Sequence, residues 1–341
     1  MEIEKKLLKP ESLEKLVQKL KEEGRQIFAP VEKDKRIEFA QVSSVKEMAS
    51  DYIVTIQSAK AVVFPKAETL FNFTTSKEGV TLQERNMDEI PEVVLLGGRP
   101  CDAWGFDSLN AIFTWDYIDS IFAKRLSKLT IISMSCAKCD SFCFCTSVKI
   151  GQGTTQGSDI LLTKIDNNNY LAEIITEKGK AIVTKYPDLF EKEPEVDKAK
   201  YLADVPVAFD LDKVLTNLPG AFENGVWFEQ SLRCIGCGAC AYVCPTCACF
   251  DIQDLTNGKT GYRKRSWDSC GFALFTLHTS GHNPREVQSA RWRQRVMHKY
   301  AYMPERQHVI GCVGCGRCSR SCPSDMNLKE HMINLVEEVA K

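Results

Sequence analysis

Residues 233–250 read RCIGCGACAYVCPTCACF, and four of their six cysteines follow the spacing C-x2-C-x2-C-x3-C before a proline. The same spacing, again followed by proline, returns at residues 312–323. It is typical of paired [4Fe–4S] sites, in which three thiolates surround one cubane and the fourth cysteine binds the other. Zinc knuckles are disfavoured because each zinc ion is held by four ligands of its own, and two zinc sites would not need to exchange a cysteine. The spacing therefore predicts two [4Fe–4S] clusters. One would be held by Cys234, Cys237, Cys240 and Cys322, and the other by Cys312, Cys315, Cys318 and Cys244.

The composition points to a cytoplasmic protein that binds neither nucleic acid nor a membrane. The chain has 341 residues, 16 cysteines and a formal net charge of −1, so it carries no basic field of the kind that attracts nucleic acid. Its N-terminal residues lack the apolar core of a signal peptide. No apolar run approaches the roughly 20 residues of a membrane-spanning helix. In a reducing cytosol such a cysteine content favours metal binding over disulfides.

The first 215 residues are predicted to form an α/β domain. Residues 10–24 place Leu13, Leu16, Val17 and Leu20 at helical spacing before a glycine. The runs EVVLLGG (92–98) and KLTIISMS (128–135) are continuously apolar, which indicates buried, parallel strands. Residues 170–186 are predicted to form a β-hairpin that turns at Lys178-Gly179.

Residues 216–341 are predicted to form a mostly helical, ferredoxin-type dicluster domain with a long insertion. The insertion lies between the two cysteine motifs and carries ten Lys and Arg against five Asp and Glu over residues 251–311. Its basic residues are interpreted as a solvated face that also balances the negative clusters. A docking face for a partner subunit is the alternative, and nucleic-acid binding is disfavoured because no recognition motif accompanies the charge.

A third cluster is predicted in the α/β domain. Cys101 and Cys136 each follow one of the two apolar runs, so parallel neighbouring strands would bring them together at the carboxyl edge of the sheet, where ligand sites form. Cys143 and Cys145 lie in the loop that would close this site. The alternative is a patch of buried free thiols.

Several stretches then suggest a family. RPCD (99–102), CPTCACFDIQD (244–254), GYRKRSWDSC (261–270), GHNPR (281–285) and CVGCGRC (312–318) occur in this order. Together with SC…CFC (135–145), they closely resemble the iron–sulfur beta subunit of cytosolic sulfhydrogenases, which are NAD(P)-linked nickel–iron hydrogenases. They are also similar to the iron–sulfur subunit of anaerobic sulfite reductase. The resemblance extends from about residue 28 to Cys322.

The resemblance implies an electron-transfer subunit. A neighbouring flavin subunit would handle NAD(P)H, and a separate subunit of the hydrogenase or sulfite reductase type would perform the catalysis. The family pattern implies a third [4Fe–4S] cluster held by Cys101, Cys136, Cys143 and Cys145, with Cys139 an additional thiol. No flavin or nucleotide is expected on this chain, because the glycine-rich segment 151–157 leads into a strand-like stretch and not into a phosphate-binding helix.

The role of Cys247, Cys249 and Cys270 stays open at this stage. They match the family's CPTCxC and WxSC stretches. They are interpreted as small, soft side chains packed around the clusters. There are two alternatives: the three cysteines bind a further metal ion together with His278 or His282, or they supply ligands to the third cluster.

Two other functions are weighed against the relay. One is a self-sufficient reductase that binds its substrate at the third cluster, which would require an iron without a protein ligand. The other is an iron–sulfur regulatory protein, which the lack of a DNA-reading motif disfavours. No Ser/His/Asp or paired-carboxylate arrangement suggests a catalytic residue on this chain.

Overall fold

Two β-sheets organise the chain, for which a computed structural model describes residues 3–339. One sheet has the strand order β10-β1-β9-β8-β7-β6-β2-β3 and the other the order β11-β12-β4-β5. The strands are β1 (Glu4–Leu8), β2 (Gln26–Lys33), β3 (Arg36–Gln41), β4 (Ala67–Ser76), β5 (Gly79–Glu84), β6 (Val93–Gly98), β7 (Leu129–Met134), β8 (Ile160–Lys164), β9 (Tyr170–Ile174), β10 (Phe190–Glu191), β11 (Phe250–Thr256) and β12 (Thr260–Trp267).

Helices lie against the large sheet and flank the two cysteine motifs. They are α1 (Pro10–Glu22), α2 (Pro100–Phe113), α3 (Ser120–Ser127), α4 (Glu177–Lys185), α5 (Leu211–Asn217), α6 (Val226–Ser231), α7 (Ala239–Tyr242), α8 (Gln288–Met297), α9 (Met303–Gln307), α10 (Arg317–Arg320) and α11 (Leu328–Val339). A π-helical segment, His298–Tyr302, links α8 to α9. Within residues 3–339, no helix is long and apolar enough to cross a membrane.

The two predicted buried, parallel strands are confirmed. Strands β6 and β7 are parallel neighbours, with Leu95 opposite Ile131, and β6 is buried along its whole length. Both faces of these strands are covered, which explains their continuous apolar sequence. Helix α1 is also confirmed, and it buries Leu13, Leu16, Val17 and Leu20. The two chain segments that carry Cys101 and Cys136 therefore leave the sheet side by side.

The β-hairpin predicted for residues 170–186 is wrong. Strand β9 is followed by helix α4, and the Thr176 side chain accepts a hydrogen bond from the Gly179 backbone N–H at the start of that helix. A threonine cap of this kind favours a helix over a turn. Gly179 is needed for packing, since a Cβ atom there would lie 2.3 Å from the carbonyl oxygen of Asp159.

The prediction of a mostly helical second domain is also wrong. Strands β11 and β12 form an antiparallel hairpin within the insertion, and β12 pairs with β4 from the first part of the chain. The turn of this hairpin contains Asn257-Gly258, and Gly258 has a φ of +93°. Asn-Gly is a strong local signal for a tight hairpin because both residues tolerate positive φ. A sheet thus lies beside the helices that carry the cysteine motifs.

The loop of the second motif packs directly on the Cys143–Cys145 loop. The Phe144 backbone N–H donates to the carbonyl oxygen of Gly314 over 2.9 Å. A Cβ atom on Gly314, which has a φ of +62°, would lie 2.5 Å from the backbone nitrogen of Cys145. Only glycine allows this close approach of two cysteine-bearing backbones.

We expect Gly314→Ala to destabilise the protein by about 2 kcal/mol or more, because it combines left-handed backbone strain with a steric overlap. Anaerobic denaturant unfolding measures the effect. The matched control is Gly220→Ala, where a Cβ atom would meet nothing within 4 Å. Equal midpoints for the two variants would contradict the close contact between the loops.

Candidate iron–sulfur sites

The first motif surrounds a cavity that reaches the protein surface. Its loop turns through Gly236 and Gly238, which have φ values of +68° and +73°, and leads into α7. Cys237 is solvent-exposed. The cysteines that line this cavity are Cys234, Cys237, Cys240, Cys318 and Cys322. The four cysteines predicted for one cluster are therefore brought together here, along with Cys318 from the second motif.

The second motif lies deeper and receives Cys244 from the first. Cys244, Cys312 and Cys315 are buried. Burial raises the pKa of Cys312 to about 12 and that of Cys318 to about 11. The negative charge of Cys244 acts on both Cys315 and Cys318 and opposes the ionisation of each thiol, so Cys244 lies close to both. The exchange of the fourth cysteine between motifs is thus compatible with this geometry.

The third group of cysteines surrounds a second cavity at the edge of the large sheet. Cys101 lies in the first turn of α2, and Cys136 follows β7. The cysteines that line the cavity are Cys101, Cys136, Cys139, Cys143, Cys145 and, from the second motif, Cys315. Cys139, expected to be an additional thiol, also borders the cavity, and its Sγ donates to the carbonyl oxygen of Asp204 over 3.2 Å. The choice of four ligands among these cysteines stays a prediction.

The second motif contacts the third group through Cys315. The Cys101 thiol hydrogen-bonds to Cys315, which raises the pKa of Cys101 and lowers that of Cys315. Arg317 lies against this pair, with Nη1 4.0 Å from Cys101 Sγ and Nη2 2.9 Å from Asp102 Oδ2. Because Cys318 also lines the cavity of the first motif, the three groups form a row in the sense that the second motif borders both of the others.

Hydrogen-bond donors point at sulfur atoms in all three groups. In the first, Gln288 Nε2 lies 3.0 Å from Cys234 Sγ; in the second, the Gly314 backbone nitrogen lies 3.5 Å from Cys312 Sγ. In the third, Arg320 Nη2 lies 3.2 Å from Cys143 Sγ. Such donors stabilise thiolate sulfur and tune the potential of a bound iron–sulfur cluster. The donor set therefore fits the binding of clusters.

Besides Arg317, which is paired with Asp102, three further buried basic side chains lie among the cysteines. Lys60, Arg295 and Lys299 are each no more than 5% exposed, and none forms an ion pair with a carboxylate in the part of the chain that the structure describes. Lys299 Nζ instead lies 3.4 Å from Cys244 Sγ. Isolated buried charges are costly, so Arg295 and Lys299 require nearby negative charge, whereas burial lowers the pKa of Lys60. Thiolates that bind a cluster would supply this negative charge, so the buried cations are also consistent with cluster binding.

We expect Lys299→Met to lower the reduction potential of the neighbouring cluster by about 100 mV, because the loss of a nearby positive charge disfavours the added electron. Despite the opposing effect of burial, the charges of Cys244 and Cys247 raise the pKa of Lys299, so the side chain is charged at neutral pH. Redox titration followed by electron paramagnetic resonance measures the shift. Lys259 is exposed, so Lys259→Met is the control. If the cluster had the same reduction potential in both variants, the placement of Lys299 beside a cluster would be contradicted.

The remaining cysteines lie beside the first and second motifs. The Cys247 thiol donates a hydrogen bond to Cys244, and the Cys270 thiol donates one to Cys249. His278 and His282 contact each other with ring centroids 5.4 Å apart. Among residues 3–339, no three His, Cys, Asp or Glu side chains converge closely enough to hold a single metal ion. A cubane spaces its thiolates more widely than one ion does, so this finding concerns single ions alone.

Sequence reasoning missed two of the buried cations. Lys60 and Arg317 lie outside the basic insertion, whereas Arg295 and Lys299 fall within it. Arg317 directly follows the glycine of CVGCGRC, so its position inside the motif was an available signal. Lys60 donates to the carbonyl oxygens of Ala241 and Cys247 over 3.0 Å each, a contact that links distant parts of the chain.

Comparison with known proteins identifies the cysteine-rich part. Residues 233–326 match the family model of the 4Fe-4S dicluster domain. The chain is 30% identical over 332 residues to sulfhydrogenase 2 subunit beta from Pyrococcus furiosus, an alignment that covers 94% of each chain. No solved structure matches.

Proposed function

This chain belongs to the family of the sulfhydrogenase beta subunits, and we propose that it relays single electrons between two partner subunits of a multi-subunit oxidoreductase. The row of cysteine groups carries this proposal. The second motif contributes Cys318 to the cavity of the first motif and Cys315 to the cavity of the third group. A side chain of the middle group therefore borders each end group.

The proposed cofactors are three [4Fe–4S] clusters. Each cluster takes up and releases one electron at a time. The chain holds them through the twelve predicted cysteines: Cys234, Cys237, Cys240 and Cys322; Cys312, Cys315, Cys318 and Cys244; and Cys101, Cys136, Cys143 and Cys145. The buried thiols must lose their protons when they bind iron, and burial raises the pKa of Cys136 to about 11. Arg295 and Lys299 favour this loss around the first two groups.

The two ends of the row would face different partners. Cys237 is exposed and gives the first motif access to the surface. The third group lies at the opposite end, at the edge of the large sheet. We propose that a flavin subunit that oxidises NAD(P)H serves one end and that a catalytic subunit, of the hydrogenase or sulfite reductase type, serves the other.

Anaerobic affinity purification of the tagged chain from its own cells tests this function. We expect a flavin subunit and a second redox subunit to co-purify, and we expect NAD(P)H to reduce the clusters when the flavin subunit is present. If the chain purified alone and reduced a substrate by itself, the relay would be contradicted and the third group would become the candidate catalytic site.

A further inference from the structure

Cys249 and Cys270 lie at the open end of the β11–β12 hairpin. Cys249 directly precedes β11, and Cys270 follows the end of β12 by three residues. The backbone N–H of Asp268 donates to the carbonyl oxygen of Cys249 over 3.0 Å, which continues the pairing of Phe250 with Trp267. The hairpin therefore holds the two cysteines together across a separation of 21 residues in the sequence.

The two thiols are close enough to interact. The Cys270 thiol donates a hydrogen bond to Cys249, which lowers the pKa of Cys249 and raises that of Cys270. Both residues are partly exposed, and the positive charges of Arg295 and Lys299 act on Cys270. A thiol with a lowered pKa beside a second thiol, in a positive field and partly exposed, is the arrangement that oxidises to a disulfide.

The pair also lies near two cysteines of the first motif. Cys270 is close enough to Cys240 for its charge to raise the pKa of that thiol, and Cys247, which interacts with Cys249, hydrogen-bonds to Cys244. A disulfide at this place would lie near Cys240 of one predicted cluster and, across Cys247, near Cys244 of the other. Electrons held on those clusters would need no further carrier to reach it.

We propose that Cys249 and Cys270 form a redox-active dithiol that a small peroxide oxidises. The Cys249 thiolate attacks one peroxide oxygen, the O–O bond breaks, and sulfenic acid and water form. The Cys270 sulfur then attacks the Cys249 sulfur, the S–O bond breaks, and a second water leaves. Two thiols and one hydrogen peroxide thus give one disulfide and two waters.

The reverse step uses electrons from the relay and therefore rests on the proposed function. The disulfide would accept two electrons, one at a time, from the clusters that the nearby cysteines would hold. The S–S bond breaks, and two protons from solvent restore the two thiols. The pair would thus be oxidised by peroxide and reset by the protein's own electron supply.

Peptide mapping of the native complex tests the dithiol. The anaerobic complex is treated with hydrogen peroxide, alkylated and digested, and we expect a peptide that links Cys249 to Cys270. In Cys270→Ser, Cys249 should instead be trapped as sulfenic acid by dimedone. Cys139→Ser is the matched control, because this cysteine lies outside the pair, and it should retain the link.

Two results would overturn the inference. One is the recovery of both cysteines as alkylated thiols after peroxide treatment. The other is a loss of iron from Cys270→Ser before any oxidation, which would make Cys270 a metal ligand. Addition of NAD(P)H to the oxidised complex separates this inference from the relay. If NAD(P)H bleaches the visible absorption of the clusters, which shows their reduction, but the disulfide persists, the proposed reduction of the disulfide by the clusters is wrong. If NAD(P)H does not reduce the clusters, the proposed electron relay fails.

Discussion

Replacing Cys136 with serine should remove one whole cluster and leave the other two in place. Cys136 lines the cavity at the sheet edge together with Cys101, Cys143 and Cys145. A serine hydroxyl is a much poorer ligand for iron than a thiolate. The iron content should fall from about twelve to about eight atoms per chain, since each cubane holds four. Iron and acid-labile sulfide assays on the anaerobic protein measure this loss.

The matched control for this variant is Cys139→Ser. Cys139 borders the same cavity but is not among the predicted ligands. We expect it to retain all of the iron, and we expect electron transfer between the partner subunits to stop only in Cys136→Ser. Loss of a cluster from Cys139→Ser with retention in Cys136→Ser would contradict the ligand set. It would show that Cys139 replaces one of the four.

Replacing Arg317 with methionine should destabilise the protein by about 3–5 kcal/mol, the usual cost of leaving one partner of a buried ion pair uncompensated. Arg317 Nη2 lies 2.9 Å from Asp102 Oδ2, and both side chains are 1% exposed. The guanidinium also donates to the backbone and side-chain oxygens of Thr55. Anaerobic denaturant titration of the loaded chain measures the change.

Two further variants isolate the cause of this destabilisation. Arg233 is an exposed arginine 3.5 Å from Asp325, and Arg233→Met should cost less than about 1 kcal/mol. The double variant Arg317→Met with Asp102→Asn should recover part of the loss, because it removes the stranded carboxylate. A midpoint for Arg317→Met equal to that of Arg233→Met would show that the buried pair does not stabilise the junction between the second motif and the third group.

The parts of the fold that local patterns encode were predictable. The apolar runs of β6 and β7 predicted two buried, parallel strands, and the segments that follow them carry Cys101 and Cys136. The helical spacing of Leu13, Leu16 and Val17 identified α1. The residues of the two cysteine motifs were recognised from their spacing alone. In each case the determining interactions lie within a few residues in the sequence.

The parts that were not predicted depend on contacts between distant segments. Strand β12 pairs with β4, almost 200 residues earlier in the chain, and no local pattern shows this pairing. The Asn257-Gly258 turn signal is present in the sequence, but the cysteine motifs on either side of it favour a helical domain. The contact of Cys315 with Cys101 likewise arises from packing of the second motif on the sheet edge. The domain boundary near residue 215 stays a prediction.

The number of clusters on the chain tests the central claim most directly. The full chain would be purified without oxygen, and its iron, acid-labile sulfide and Mössbauer spectrum would be measured. The account predicts about twelve iron and twelve sulfide atoms per chain, all in [4Fe–4S] form. A value of about eight, unchanged by Cys136→Ser, would contradict the third cluster and leave the cysteines at the sheet edge without a role in the relay.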